Sequence, residues 1–151
     1  MNKVRVAVSA CLLGNECRYD GRSNLNQAVK ALASSCEFVP VCPEVMGGLP
    51  IPRECAEIRG TTVITENGND VTSQFVHGAE LAFEAVRRSG CVLAILKARS
   101  PSCGVKSVYD GSFSHTVVDG SGVFAELLEK EGIPVFSEES LDLLADYLCR
   151  L

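Results

Sequence analysis

The chain lacks the features that would place it in several large classes. No window approaches the roughly 18 consecutive apolar residues of a membrane span, which excludes a spanning helix. The start, Met1-Asn2-Lys3-Val4, has no long apolar stretch followed by a small-residue cleavage site, so the chain reads as unprocessed and cytoplasmic. Clustered basic charge is missing too. With a net charge of −5 and scattered Lys and Arg, there is no footprint for a nucleic-acid polymer. No G-x-G-x-x-G follows the first apolar run, and Leu13-Gly14-Asn15-Glu16 is not a P-loop. There is no C-x-x-C pair, which argues against a thiol redox protein. Internal repeats and low-complexity tracts are also absent. Only two histidines occur. His77 falls in a helical pattern and reads as a surface residue. His115 lies in a Gly-bearing loop that can reach a site, though nothing in the sequence fixes it there.

Cysteine, by contrast, is plentiful. Eight cysteines in 151 residues fall below the roughly 8–10% that marks a disulfide scaffold, and a chain of this size can fold without staples. In a reducing compartment, clustered cysteines bind metal or react more often than they pair. The length suits one domain, residues 1–151.

Apolar runs alternate with helical patterns along the chain. Strands are expected over residues 3–10, 38–41, 61–65, 92–96 and 133–136. Helices are expected over 25–34 with Asn24 as N-cap, over 73–88 with apolar positions at 75, 76, 79, 82, 83 and 86, over 122–131 ending at Gly132, and over 140–151 capped by Ser137. Asn67-Gly68 marks a tight turn. Residues 12–23 and 43–60 read as long loops, the second carrying Pro43, Pro50, Pro52 and the adjacent Gly47 and Gly48. Residues 106–118 read as irregular or a hairpin. This alternation predicts an α/β fold: one doubly wound, mainly parallel sheet in a Rossmann-like three-layer sandwich, with long loops at the carboxyl edge. Ligands bind outside that edge in such sheets.

Three cysteines fall at equivalent places on this plan. Val4 to Ala10 runs into Cys11, Phe38 to Val41 runs into Cys42, and Val92 to Leu96 leads through a short loop to Cys103. Thiols delivered to one sheet edge form a soft, three-ligand metal site with one coordination position left over. A closed structural site normally supplies four protein ligands, so three suggest catalysis. Each cysteine read singly could equally be a small buried hydrophobe. Cys17 is open between a fourth ligand, a catalytic thiol and a structural thiol, with Arg18 beside it to lower its pKa. Cys36, Cys91 and Cys149 read as core residues, and Cys55 as structural. Glu44 follows Cys42 by two residues, where a carboxylate beside a metal centre suits acid–base work; its bland alternative is a solvated loop acid.

The strings SACLLGNECRYDG, CPEVMGGLPIPR, AILKARSPSCG and VYDGSFS, spread from Val4 to Glu138, resemble the signature blocks of the thiouracil desulfidase family, first catalogued as domain of unknown function 523. The likeness is to its short, stand-alone form. The resemblance implies a [4Fe-4S] cluster held by Cys11, Cys42 and Cys103, with one iron free of protein ligands. It implies an enzyme that converts a small thiolated base such as 2-thiouracil to its oxo form and releases hydrogen sulfide, the cluster acting as a Lewis acid rather than an electron carrier. Glu44 is then the acid–base candidate, Ser102 positions water or substrate, and Cys17 is a further catalytic candidate. His115 stands where the family pattern has Gly, at a place that can alter substrate choice. A different class remains open on the residues alone: a non-catalytic zinc- or cluster-binding module, or a sulfur carrier.

Overall fold

The computed structural model describes residues 3–151. Met1 and Asn2, part of the start read above as unprocessed, lie outside the described residues. In chain order the elements are β1 (Val4–Ser9), a 3₁₀ turn (Ala10–Leu13), α1 (Gln27–Ala31), β2 (Cys36–Val41), the one-turn α2 (Pro43–Met46), β3 (Ala56–Arg59), β4 (Thr62–Thr65), α3 (Thr72–Ser89), β5 (Leu93–Leu96), β6 (Ser107–Tyr109), β7 (Val117–Asp119), α4 (Val123–Lys130), β8 (Val135–Ser137) and α5 (Leu141–Cys149).

Four strands form a parallel sheet in the order β2-β1-β5-β8. Continuous apolar runs make this possible, because the central strands β1 and β5 must be buried on both faces. Alternate residues sort to opposite layers. Val6, Val8, Leu93 and Ile95 pack with Val29 of α1 and Leu144 of α5. Ala7, Ala94 and Leu96 pack with Ala79, Ala82 and Val86 of α3 and Phe124, Ala125 and Leu128 of α4. The result is the doubly wound three-layer sandwich expected from the sequence. The chain winds outward from β1 to β2, then returns to β5 on the other side of β1. The winding therefore reverses between β1 and β5, which opens a crevice beyond their carboxyl ends.

Several local expectations shift. Asn26, not Asn24, caps α1, its side chain accepting from the Val29 N–H at 3.0 Å. Asn24 is turned toward Cys11 instead. The first helix is also shorter than expected and tightens into a 3₁₀ turn over Leu32–Ser34. Ser137 is the last residue of β8. Its hydroxyl accepts from the Glu139 N–H at 3.1 Å rather than capping α5. On α3, Phe75, Ala79, Ala82 and Val86 are buried as expected, but Val76 faces outward. Residues 106–118 include the β6–β7 antiparallel pair.

The loop over 43–60 proves the most ordered of the surprises. Pro43 starts α2, where its missing N–H costs nothing. Two glycines then let α2 sit directly on α3. A Cβ on Gly47 would meet the Gln74 carbonyl oxygen at 2.0 Å, and one on Gly78 would meet the Pro43 oxygen at 1.8 Å. The loop ends in β3, which pairs with β4 around Gly60. Both features place residues 42–57 over the crevice.

Candidate active site

The crevice holds a cavity of about 330 Å³ lined by residues from widely separated stretches of chain. β1 runs into the 3₁₀ turn that carries Cys11. β2 ends one residue before Cys42, which sits at the N-cap position of α2. The third wall is the tight loop after β5. There the Ser100 hydroxyl accepts from the N–H groups of Ser102 and Cys103 at 3.2 and 3.1 Å, and the Ser102 carbonyl accepts from Phe124 N–H at 2.8 Å. A Cβ on Gly122 would lie 2.4 Å from the Ser102 carbonyl carbon, so glycine there lets α4 press against this loop. Cys11, Cys42 and Cys103 thus line one cavity, as the sequence anticipated, and Cys17, Glu44 and Ser102 line it with them.

The thiols differ in environment. The Cys17 thiol hydrogen-bonds to both Cys11 and Cys42 and brings each down to about 7 against the opposing effect of burial. The same contacts, with burial behind them, push Cys17 itself far above the usual thiol range. Arg18, expected to act on Cys17, pairs with Asp20 at 2.9 Å and donates to Asn24 Oδ1 at 3.0 Å. Asn24 Nδ2 in turn donates to Cys11 Sγ at 3.3 Å. Cys103 is buried and pushed up to about 12. Its sulfur lies 3.6 Å from the Ser102 hydroxyl oxygen.

Beside Cys103 runs a polar chain that joins two of the candidates, Ser102 and Glu44. Ser102 Oγ donates to Glu44 Oε2 at 2.9 Å, with Ser100 Oγ 3.0 Å behind it. The other oxygen, Glu44 Oε1, accepts from Arg53 Nε at 3.0 Å. Glu44 and Arg53 are both well buried. Ser102 holds one proton, so donation to Glu44 requires Ser100 to donate to Ser102. Nearby, Lys97 pairs with Glu138 at 3.0 Å while its N–H donates to the buried Ser9 hydroxyl.

The remaining candidates divide. His115 lines the cavity, stacked edge-on against Tyr109, with a left-handed backbone at φ 60°. His77 is exposed on α3, as expected. Cys36 is buried and Cys91 is partly buried against the core. Cys149, read as core, is exposed at the last turn of α5, because the buried stripe of that helix is carried by Leu144 instead. Cys55, read as structural, lines the cavity. Arg53, Glu57, Asn24 and Lys97 were not anticipated. Arg53 closes the string CPEVMGGLPIPR, where it is the one cation and Glu44 the one other charged residue, and that charge was the one available signal.

The donor set fits an iron–sulfur cluster. Several thiols surround one cavity, two of them poised toward thiolate, and Asn24 supplies a hydrogen bond to sulfur of the kind that tunes such clusters. Among the described residues, no group of three His, Cys, Asp or Glu side chains is arranged to hold a single metal ion.

A doubly wound α/β domain with a thiol-lined crevice at its switch point is the class that fold and site define. Within that class the chain belongs to the 2-thiouracil desulfurase family, whose model matches residues 6–140. It is 38% identical over 147 residues to the uncharacterized protein YbbK of Bacillus subtilis (strain 168), covering 91% of this chain and 97% of that protein. It also resembles the solved structure of the [4Fe-4S]-dependent thiouracil desulfidase TudS, with a TM-score of 0.90 and 44% identity over 99% of this chain and 100% of that one.

Proposed function

We propose that this chain is a [4Fe-4S]-dependent desulfidase that converts a 2-thiouracil-like base to its oxo form with release of hydrogen sulfide. The observation that carries this reading is the Glu44 carboxylate, held between Ser102 and Arg53 on the wall of a cavity that also presents Cys11, Cys42 and Cys103. Those three cysteines hold the cluster, which when bound supplies an iron without a protein ligand, a Lewis acid matched to a soft thiocarbonyl sulfur. Family membership and the likeness to TudS support the activity.

Water supplies the new oxygen, and its two protons leave with the sulfur. The net change exchanges C=S and H₂O for C=O and H₂S, so no electrons are gained or lost. Glu44 Oε2 takes the proton from the attacking water and returns it to the departing sulfur, since it is the carboxylate oxygen turned toward Ser102. Ser102 holds that oxygen and orients water or substrate beside it. Cys17 lines the cavity with Cys11 and Cys42 and is a further catalytic candidate. The substrate is a small molecule. No helix among the described residues is long and apolar enough to cross a membrane.

The test is anaerobic reconstitution with iron and sulfide, followed by incubation with 2-thiouracil. A brown protein that releases uracil and sulfide in equal amounts, without added reductant, is expected. A colourless, zinc-loaded protein with no turnover overturns the proposal.

A further inference from the structure

Arg53 makes more contacts in the site than any acid–base role for Glu44 requires. Its Nε donates to Glu44 Oε1 at 3.0 Å, its Nη2 to the Cys17 carbonyl at 2.8 Å and its Nη1 to the Pro50 carbonyl at 3.2 Å. Its backbone N–H donates to the Tyr19 carbonyl at 2.8 Å. One planar guanidinium therefore ties α2, the loop carrying Cys17 and its own loop together. Cys42 Sγ contacts the same Cys17 carbonyl, at 3.9 Å. The side chain of Arg53 is only 6% exposed.

Glu44 needs such a hold. A second cavity of about 270 Å³ lies behind it, lined by Leu49, Pro50, Val71 and Phe75, and Glu44 and Arg53 form part of the wall between the two. Packing alone leaves the carboxylate room to rotate away from the thiols. Arg53 occupies Oε1 and leaves Oε2 facing Ser102.

We infer that Arg53 is a positioning residue that holds the Glu44 carboxylate at the thiol-lined cavity and couples its orientation to the Cys17 loop. The inference rests on the desulfidase reading for its kinetic consequence and on geometry alone for its effect on the loop. Lysine can reach Glu44 as a point charge, but it cannot also span the Cys17 and Pro50 carbonyls in one plane.

The test compares Arg53→Met, Arg53→Lys, Glu44→Gln and the Glu44→Gln/Arg53→Met double variant in reconstituted enzyme. Misplacing a catalytic group by about 1 Å can cost about 10²-fold. Arg53→Met is expected to lower kcat about 10²-fold with KM within about threefold and iron content unchanged. Arg53→Lys recovers about tenfold of that loss. The double variant turns over no more slowly than Glu44→Gln alone, because Arg53 acts through Glu44. In the cluster-free chain, peptide mapping after iodoacetamide treatment shows Cys17 alkylated about tenfold faster in Arg53→Met, since its loop has lost a charge-assisted hydrogen bond. Losses that multiply in the double variant, or iron lost equally from Met and Lys variants, overturn the inference. Unchanged kcat and unchanged Cys17 alkylation do so as well. If wild-type enzyme binds iron but turns nothing over, the desulfidase reading fails, while the alkylation result still decides the role of Arg53.

Discussion

A single hydroxyl shows how much this site depends on individual residues. Ser102 is buried, holds Glu44 on one side and touches Cys103 sulfur on the other. The proposed acid–base group and a proposed cluster ligand thus meet at one oxygen. Glu44→Gln keeps the size and the contact to Arg53 but removes the proton carrier. Such groups contribute about 10²–10⁴-fold in rate, so a kcat loss in that range with intact visible absorption is expected in steady-state assays. Four of the five thiols at the cavity separate in the same way. Cys11→Ser, Cys42→Ser or Cys103→Ser should each abolish iron binding in an iron and sulfide assay. Cys17→Ser should keep the full iron complement of a [4Fe-4S] cluster. A three-iron cluster in Cys17→Ser would make Cys17 a ligand and remove the open iron on which the mechanism depends.

At the scale of elements, two helices do unequal work. α2 is a single turn and would not persist alone, since so short a helix gains too few hydrogen bonds to offset its nucleation. Its place is set by α3, through the Gly47–Gly78 approach. Gly78 is remote from the thiols in sequence, yet its replacement should disturb Cys42 and Glu44 together. Gly78→Ala puts a methyl 1.8 Å from the Pro43 oxygen, so α2 must move. Overpacking of this kind costs about 1–3 kcal/mol. The expected result is a lowered melting temperature and reduced iron content on reconstitution; full iron content with normal kcat would show that α2 tolerates the shift.

For the whole molecule, stability and site share one layer. Phe124 of α4 is fully buried in the cluster that also contains Leu96 and Cys103. Phe124→Ala should cost about 3–5 kcal/mol. At about 2–4 °C per kcal/mol for a domain of this size, the melting temperature should fall by roughly 6–20 °C. Because Cys103 belongs to the same buried cluster, the variant should also hold iron less tightly in a chelator competition. A ligand that binds only the folded chain stabilises it by mass action, so the loaded protein should melt above the cluster-free one.

The sheet and the gathering of three thiols at one cavity were legible in the sequence because both follow from local pattern. Apolar runs of strand length, two ending at a cysteine and a third leading to one through a short loop, state which residues are buried and which end carries sulfur. Parallel pairing then brings those ends to one edge. The doubly wound order needed only the alternation of strand and helix. Glu44 was legible for the same reason, two residues beyond a strand end. The tertiary structure decided the rest. Asn24 serves Cys11 rather than α1, because Asn26 was equally able to cap. Cys55 lines the cavity because β3 pairs with β4, a pairing hidden in a Pro-rich stretch. Ser102 meets Glu44 across 58 positions, and Arg53 meets Cys17 across 36. Side-chain hydrogen bonds of such separation leave no periodic trace in a sequence. They form only after the hydrophobic layers have fixed the loops that carry them.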